Sequence, residues 1–361
     1  MSSSRWTTAL AIVLALALAF VTFAAGAQKA ERGPSFLHKD WQLACDNTGT
    51  CRAAGYHADE SGDSEGVSVL LTRKAGPREP VTGQVMLANY GDDALVRKLP
   101  KGSRLGMFVN GRALGTVAWK VESDSLALNP EQTQALLKAL VGTGRIVWKA
   151  GGNEWELSNA GATAVLLKMD EAQGRLGTRG ALVKPGARDE ASVPAPLPTP
   201  IVKAAVTDDQ LLKVDARQKQ QLLRALRAAT PNKEGCDVLS EATGDATDLS
   251  VWRLNATKLL VSGVCWTAAY NSGSGFWVVN AKEPYTPVLV TQNGTDYNSA
   301  TISAAQKGRG LGDCWSHEDW TWDGTAFVQT SISESGLCRG IAPGGAWTLP
   351  NWVTTVVPAK R

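Results

Sequence analysis

Six cysteines, Cys45, Cys51, Cys236, Cys265, Cys314 and Cys338, constrain this chain more than any other feature, because all of them lie beyond an N-terminal stretch laid out like a secretory leader. Arg5 sits in a short polar start, an apolar run extends from Ala9 to Phe23, and Ala25-Gly26-Ala27 then supplies the small-residue cleavage pattern. The run is shorter than the roughly 20 apolar residues of a spanning helix. We expect cleavage after Ala27, with Gln28 as the new N-terminus and therefore no lipid anchor there. No later segment is apolar enough to span, so stable membrane insertion after cleavage is not expected. A periplasmic or secreted product follows, and in that compartment an even set of cysteines is read as disulfides.

The pairing is constrained by a second feature. From Lys184 the chain reads KPGARDEASVPAPLPTP, with five prolines and little apolar surface, the composition of an extended, semi-rigid spacer. A linker at 185–201 divides the chain into a signal peptide (1–27), an N-terminal domain (28–184) and a C-terminal domain (202–361). Cys45 and Cys51 then have only each other. The other four leave alternatives open, of which nearest neighbours, Cys236 with Cys265 and Cys314 with Cys338, are the expectation. Each closed loop contributes about 2–4 kcal/mol, chiefly by restricting the unfolded chain. No C-x-x-C occurs, which argues against both a zinc site and a thioredoxin-like redox role. Removing Arg5 from 37 basic residues leaves 36 against 34 acidic ones, so nothing in the charge points to nucleic acid.

Hydrophobic patterning gives an α+β, mainly β fold. In the first half, DWQLAC and CRAAGY flank DNTGT as two strands with a disulfide across the turn. VSVLLTRK is a further strand, Asn110-Gly111 marks a hairpin, and RIVWKA with EWELS around Gly151-Gly152-Asn153 marks another. Asn129 followed by Pro130 starts a helix that Gly142 stops. A second helix begins near Ser158, with Ala162, Val165, Leu166 and Met169 as its buried stripe. The second half opens with helix, Thr207 and Gln210 at capping-box spacing and Leu222, Leu223 and Leu226 lining one face over Asp215 to Ala229. After Cys236, short β-branched and aromatic runs predict an antiparallel meander or sandwich stapled by disulfides. Tyr270-Asn271-Ser272 and Tyr297-Asn298-Ser299 repeat between strands of that meander.

The stretch KGRGLGDC (307–314), the W-x-W-D-G-x-x-F run from Trp320 to Phe327, C-R-G at Cys338, and the opening run from Trp41 to Tyr56 together resemble the bacterial DUF1176 family. SNAGATAVLLKMDEAQGRLGT (158–178) and the cysteine count are similar to it too. The resemblance implies an exported protein of this size with paired cysteines, and it carries no catalytic residues. Where the family pattern has glycine after the GDC cysteine, this chain has Trp315. The first cysteine pair also resembles, more weakly, the start of the invasion-associated locus B family.

Each stretch with functional potential has a plainer reading beside it. His317, flanked by Asp313, Ser316, Glu318 and Asp319, suggests a hydrolase, yet no G-x-S-x-G elbow is present and a solvated loop histidine is the simpler account. Gly308, Gly310 and Gly312 beside Lys307 and Arg309 match no nucleotide-binding spacing; they offer either an anion nest or a glycine-rich turn entering a disulfide. Asp59, Glu60, Asp63 and Glu65 lack calcium-loop spacing and read as a solvated acidic loop. Trp320 and Trp322 share one strand face, so both are core or both are available, and core is favoured. No catalytic, metal or cofactor set emerges. The expected function is a non-enzymatic binding or interaction module of the cell envelope, with Lys307, Arg309, Trp320, Trp322 and Arg339 as a ligand surface for an envelope protein or glycan. The alternatives are an envelope hydrolase centred on His317 and a structural envelope component.

Overall fold

Strand pairing in the first half follows the chain. In the computed structural model, which describes residues 31–59, 66–90, 94–100, 102–118, 125–230, 235–240 and 248–359, strands β1 (Ser35–His38), β2 (Trp41–Cys45), β3 (Cys51–Tyr56), β4 (Val67–Arg73) and β5 (Val81–Leu87) pair antiparallel, each with the next. The expected cleavage site and Glu60, Asp63 and Glu65 lie outside the described residues. Cys45 and Cys51 stand directly opposite one another and are joined across the turn. The β6 (Arg104–Val109) and β7 (Arg112–Ala118) hairpin turns at Asn110 and Gly111, both at positive φ as a tight two-residue hairpin loop requires. Strand β8 (Leu126–Ala127) returns to the edge of β5.

Helix α1 (Pro130–Val141) starts where the sequence places it. Asn129 accepts from the N–H of Gln132 while the Gln132 side chain accepts from the N–H of Asn129, a reciprocal cap. Strands β9 (Ile146–Ala150) and β10 (Asn153–Leu157) extend the β6–β7 sheet, and α2 (Ala162–Ala172) buries all four residues of its predicted stripe. The first sheet is covered on both sides. Trp41, Leu43, Val69, Leu71 and Val85 face α1, α2 and the second sheet, while the alternate residues Ala44, Ala54, Tyr56, Leu70 and Met86 pack against Ile341, Ala346, Trp347 and Leu349 from the far end of the chain.

That second packing bears on the domain division. From Arg32 to Arg361 the chain forms one compact unit, and the expected split at 185–201 is not confirmed. The proline-rich stretch lies along the first half as a strap instead of standing off as a spacer: Val193 is buried, Leu197 donates to the Thr48 carbonyl, and Glu190 is held by Arg175. Composition missed this because the anchors are polar and buried valine is a single residue.

In the second half, β11 (Ile201–Lys203) is the start of the segment that leads to helix α3 (Ala216–Ala229), which Asp215 caps. Thr207 and Gln210 form no capping box, a correction with a clear cause: residues 208–212 run beside β12 (Ser250–Arg253), with Asp209 at positive φ, and spend their backbone groups on Leu254, Arg253 and Val251. Strands β13 (Lys258–Thr267), β14 (Ser272–Asn280) and β15 (Val288–Gly294) complete a four-stranded sheet with β12. A five-stranded sheet follows, made of β16 (Asp296–Asn298), β17 (Thr301–Lys307), β18 (Trp315–Trp322), β19 (Phe327–Glu334) and β20 (Leu349–Trp352); β21 (Thr355–Val357) closes the chain parallel to β11.

Period-2 alternation sorts the core. Leu259, Val261, Trp277 and Val279 pack on α3 through Leu222, Leu223 and Leu226, while Leu260, Phe276 and Val278 face Ile302, Ala304, Trp320 and Trp322 of the five-stranded sheet. The two remaining disulfides are Cys236–Cys265 and Cys314–Cys338, the nearest-neighbour set. Among the described residues no helix is long and apolar enough to cross a membrane.

Candidate functional site

The structure takes the expected ligand surface apart. Trp320 and Trp322 are buried in the sandwich core and offer no platform. Arg339 is largely buried and reaches Asp40 at 2.9 Å and Asp59 at 2.6 Å, so its charge is spent within the fold. Arg309 grips the Asp313 carboxylate with two nitrogens at 2.8 and 2.6 Å. Burial pushes that carboxyl up, but Arg309 and the Gly340 N–H outweigh it and hold Asp313 below the usual carboxylate range. Lys307 lies over the Trp315 ring, 5.4 Å from its centroid.

The glycine turn is occupied by its own backbone. Gly308 donates to the Cys314 carbonyl and Gly312 to that of Arg309, so two of the three amides an anion nest would use are taken. Gly312 adopts the left-handed conformation and Trp315 opens β18, which places the tight turn before Cys314. Asp313, Cys314 and Cys338 lie close enough together to suggest metal ligands, yet both sulfurs are in a disulfide and the carboxylate is engaged.

His317 stands in β18, not in a loop, stacked on Trp315 with ring centroids 6.0 Å apart. Ser316 is its strand neighbour and so projects to the opposite face. With Asp313 tied to Arg309, the three residues of the hydrolase reading do not converge.

The site that geometry favours lies in the first half, where sequence reading nominated nothing. Glu79, Pro80 and Val81 at the start of β5, one face of α1 and the 179–190 segment enclose a cleft of about 800 Å³. Gln134, Leu137, Lys138 and Val141 of α1 line it at i, i+3, i+4 and i+7, a single helical face. Val81, Leu137, Val141 and Leu182 give it an apolar floor, and Arg78, Lys138 and Arg179 stand exposed around it. None of these three cationic side chains has a hydrogen-bond or ion-pair partner among the described residues.

Behind the cleft a buried ionic lattice fixes its shape. Asp170, fully buried, accepts from the N–H groups of Leu182 and Val183 at 2.7 and 3.1 Å and lies 3.5 Å from Arg73. Burial raises the Asp170 carboxyl above its ordinary value, and burial together with neighbouring Arg175 lowers the Arg73 guanidinium to about 10. Arg175, also fully buried, binds Glu190 at 2.8 Å. Glu190 in turn accepts from the N–H of Gly180 and of Arg78, and Arg78 is held at a positive φ of 60°. Non-glycine residues in that region are kept there by their surroundings, and they concentrate at ligand-binding places. The lining sets the cationic Arg78, Lys138 and Arg179 beside the carboxylates of Glu79 and Glu190.

Residues 35–355 match the family described as a protein of unknown function, DUF1176. The chain is also similar to the uncharacterized protein YpfG of Escherichia coli (strain K12), with 26% identity over 382 residues that cover 97% of this chain and 99% of that protein. The likeness to the invasion-associated locus B family finds no support in these matches. No solved structure matches the chain.

Proposed function

This chain belongs to the DUF1176 family, and from that premise we propose that it is an exported binding module of the cell envelope that holds an anionic ligand with an apolar portion. The observation that carries the reading is the cleft between α1 and the strap: three exposed cations without partners above an apolar floor. Guanidinium groups favour phosphate and carboxylate because they meet two oxygens at once, and a cleft of about 800 Å³ is in the range of small-molecule sites. Export is supported by the leader layout and by three disulfides with no free cysteine among the described residues, which suit an oxidising space.

The test uses n-decyl phosphate, which combines the anionic head with an alkyl tail, against inorganic phosphate and decanol in titration calorimetry. Decyl phosphate should bind more tightly than either control. Replacing Arg78 and Arg179 together by alanine should weaken it at least about tenfold, the worth of one charge-assisted hydrogen bond. Equal affinity in the double variant would overturn the assignment of the cleft.

A further inference from the structure

We infer an interaction surface on α3 that docks this chain on an anionic phospholipid bilayer. The helix (Ala216–Ala229) carries Arg217, Lys219, Arg224 and Arg227 and no Asp or Glu. One face is spent inside the fold, where Leu222, Leu223 and Leu226 pack on the four-stranded sheet. The opposite face is exposed and holds Arg217, Gln220, Arg224 and Ala228, at i, i+3, i+7 and i+11. It shares no residue with the cationic cleft.

Charge balance separates this face from an ordinary solvated one. Exposed helix faces commonly match opposite signs three or four residues apart, as Lys168 and Glu171 do on α2 at 2.9 Å. On α3 the like charges Arg217 and Arg224 stand two turns apart, about 10 Å along the axis, with only uncharged residues between them on that face. None of Arg217, Arg224 and Lys213, just ahead of the Asp215 cap, makes a hydrogen bond or ion pair among the described residues. Arg227 donates to the carbonyls of Leu239 and Ser240, at 2.9 and 3.0 Å, neutral partners that leave its charge at the edge of the face. Guanidinium groups in this state favour phosphate oxygens.

Two observations favour a bilayer over a soluble polyanion. The first is Leu211. Burial alternates along 211–214, where Leu212 and Val214 pack against the α3 core while Leu211 and Lys213 are exposed, Leu211 at 63%. A large apolar side chain beside cations suits the boundary between headgroups and acyl chains, where a polyanion in water offers it nothing. The second is shape: Arg217 and Arg224 run along the outer ridge of a helix, a line that meets a plane of headgroups at two points at once. Each cation held near an anionic surface gains about fivefold in partitioning, an attraction that fades within a Debye length.

The experiment sediments the mature, oxidised chain with vesicles of phosphatidylcholine alone or with about 30% phosphatidylglycerol, and adds heparin as a competing soluble polyanion. Binding should need phosphatidylglycerol and fall steeply between about 0.1 and 1 M salt, as the screening length shortens from about 10 to about 3 Å. Arg217→Gln with Arg224→Gln keeps good helix formers at both places and should weaken vesicle binding about tenfold or more. Leu211→Ser should weaken it about threefold or more. Thermal melts identify native variants, and Lys213→Gln with Arg224→Gln replaces the first pair if it unfolds. The Arg78 and Arg179 double variant should bind vesicles as the unmodified chain does; a loss confined to that variant would assign the lipid to the cleft and overturn the α3 surface. Equal binding to both kinds of vesicle, or unchanged affinity in the folded α3 variants, would refute it as well. A Leu211→Ser chain that binds normally while heparin competes fully would replace the bilayer by a soluble polyanion.

Discussion

Glu190 decides whether residues 185–201 are a strap or a spacer, and Glu190→Gln tests it with little change of shape. The carboxylate gathers three donors: Arg175 at 2.8 Å, the Gly180 N–H at 3.0 Å and the Arg78 N–H at 3.3 Å. Its side chain is 13% exposed and that of Arg175 is 0%, so the pair is shielded from water. Breaking a buried pair by removing one charge costs about 3–5 kcal/mol where the other is left bare. Arg175 is not left bare, since the Gln173 side chain at 3.1 Å and the Gly76 carbonyl still accept from it. The expected loss at pH 7 is therefore nearer the worth of one charged hydrogen bond, about 2–3 kcal/mol.

The pH dependence has a definite sign. Burial pushes Glu190 up, but the nearby Thr178 hydroxyl, the Arg78 and Gly180 amides and Arg175 outweigh it, so its folded pKa lies below the ordinary value. A carboxyl lowered in the folded state contributes stability that is full above the unfolded pKa and is lost as pH falls through the folded one. Glutamine does not titrate, so the gap between the two proteins should close in acid. Urea denaturation of the oxidised chain, followed by tryptophan fluorescence at pH 7 and at about pH 3, measures both quantities. A glutamate on a free spacer would tolerate the change within about 0.5 kcal/mol at either pH. That small effect, or a gap indifferent to acid, would refute the docked strap.

Three further outcomes follow from single contacts. Tyr56 is fully buried and its hydroxyl accepts from the Leu337 N–H at 3.0 Å, so Tyr56→Phe should cost about 1–3 kcal/mol; amide exchange should show β2–β5 and β13–β19 loosening together, and loosening of one half alone would contradict a shared unit. A Cβ at Gly308 would stand 2.6 Å from the Cys314 sulfur and 3.0 Å from that of Cys338, so Gly308→Ala should yield chains with two free thiols by mass spectrometry under non-reducing conditions; a fully oxidised variant would count against that crowding. Asn129→Ala removes the α1 cap and should lower stability by about 1 kcal/mol in the same urea assay, where no change would deny the cap its role.

What could be read from the sequence was whatever has its partner nearby. Cys45 and Cys51 are a turn apart, Asn110-Gly111 contains its own hairpin, and Ala162, Val165, Leu166 and Met169 are one helix face; each needs only local geometry to be recognised. Thr207 with Gln210 had the right local spacing and still failed. The backbone there met β12, some forty residues on, and a sheet edge supplied its hydrogen bonds in place of a helix. Tryptophan patterning gave the shared face of Trp320 and Trp322, and the favoured reading of that face as core is what the sandwich shows, which removes both from the expected ligand surface.

The cationic cleft escaped for the reason that misled at Thr207, at larger scale. Arg78 comes from a β-turn, Lys138 from a helix and Arg179 from a loop, so no window of sequence shows them together. One trace was nevertheless present: Lys138 falls beside Leu137 and Val141 on a helix whose neighbouring positions are apolar, and a cation there must either snorkel out or meet an anion. The expected surface failed in the opposite way. Lys307, Arg309 and Arg339 are close to the Cys314–Cys338 disulfide, and the fold neutralises Arg309 and Arg339 with Asp313, Asp40 and Asp59. A charge with a near partner is structure, and a charge left without one at the rim of an apolar hollow is what a ligand can use. Arg78, Lys138 and Arg179 meet that condition, and the Asp170–Arg73 and Glu190–Arg175 pairs behind them explain how the fold holds such a rim open while keeping its own buried charges matched.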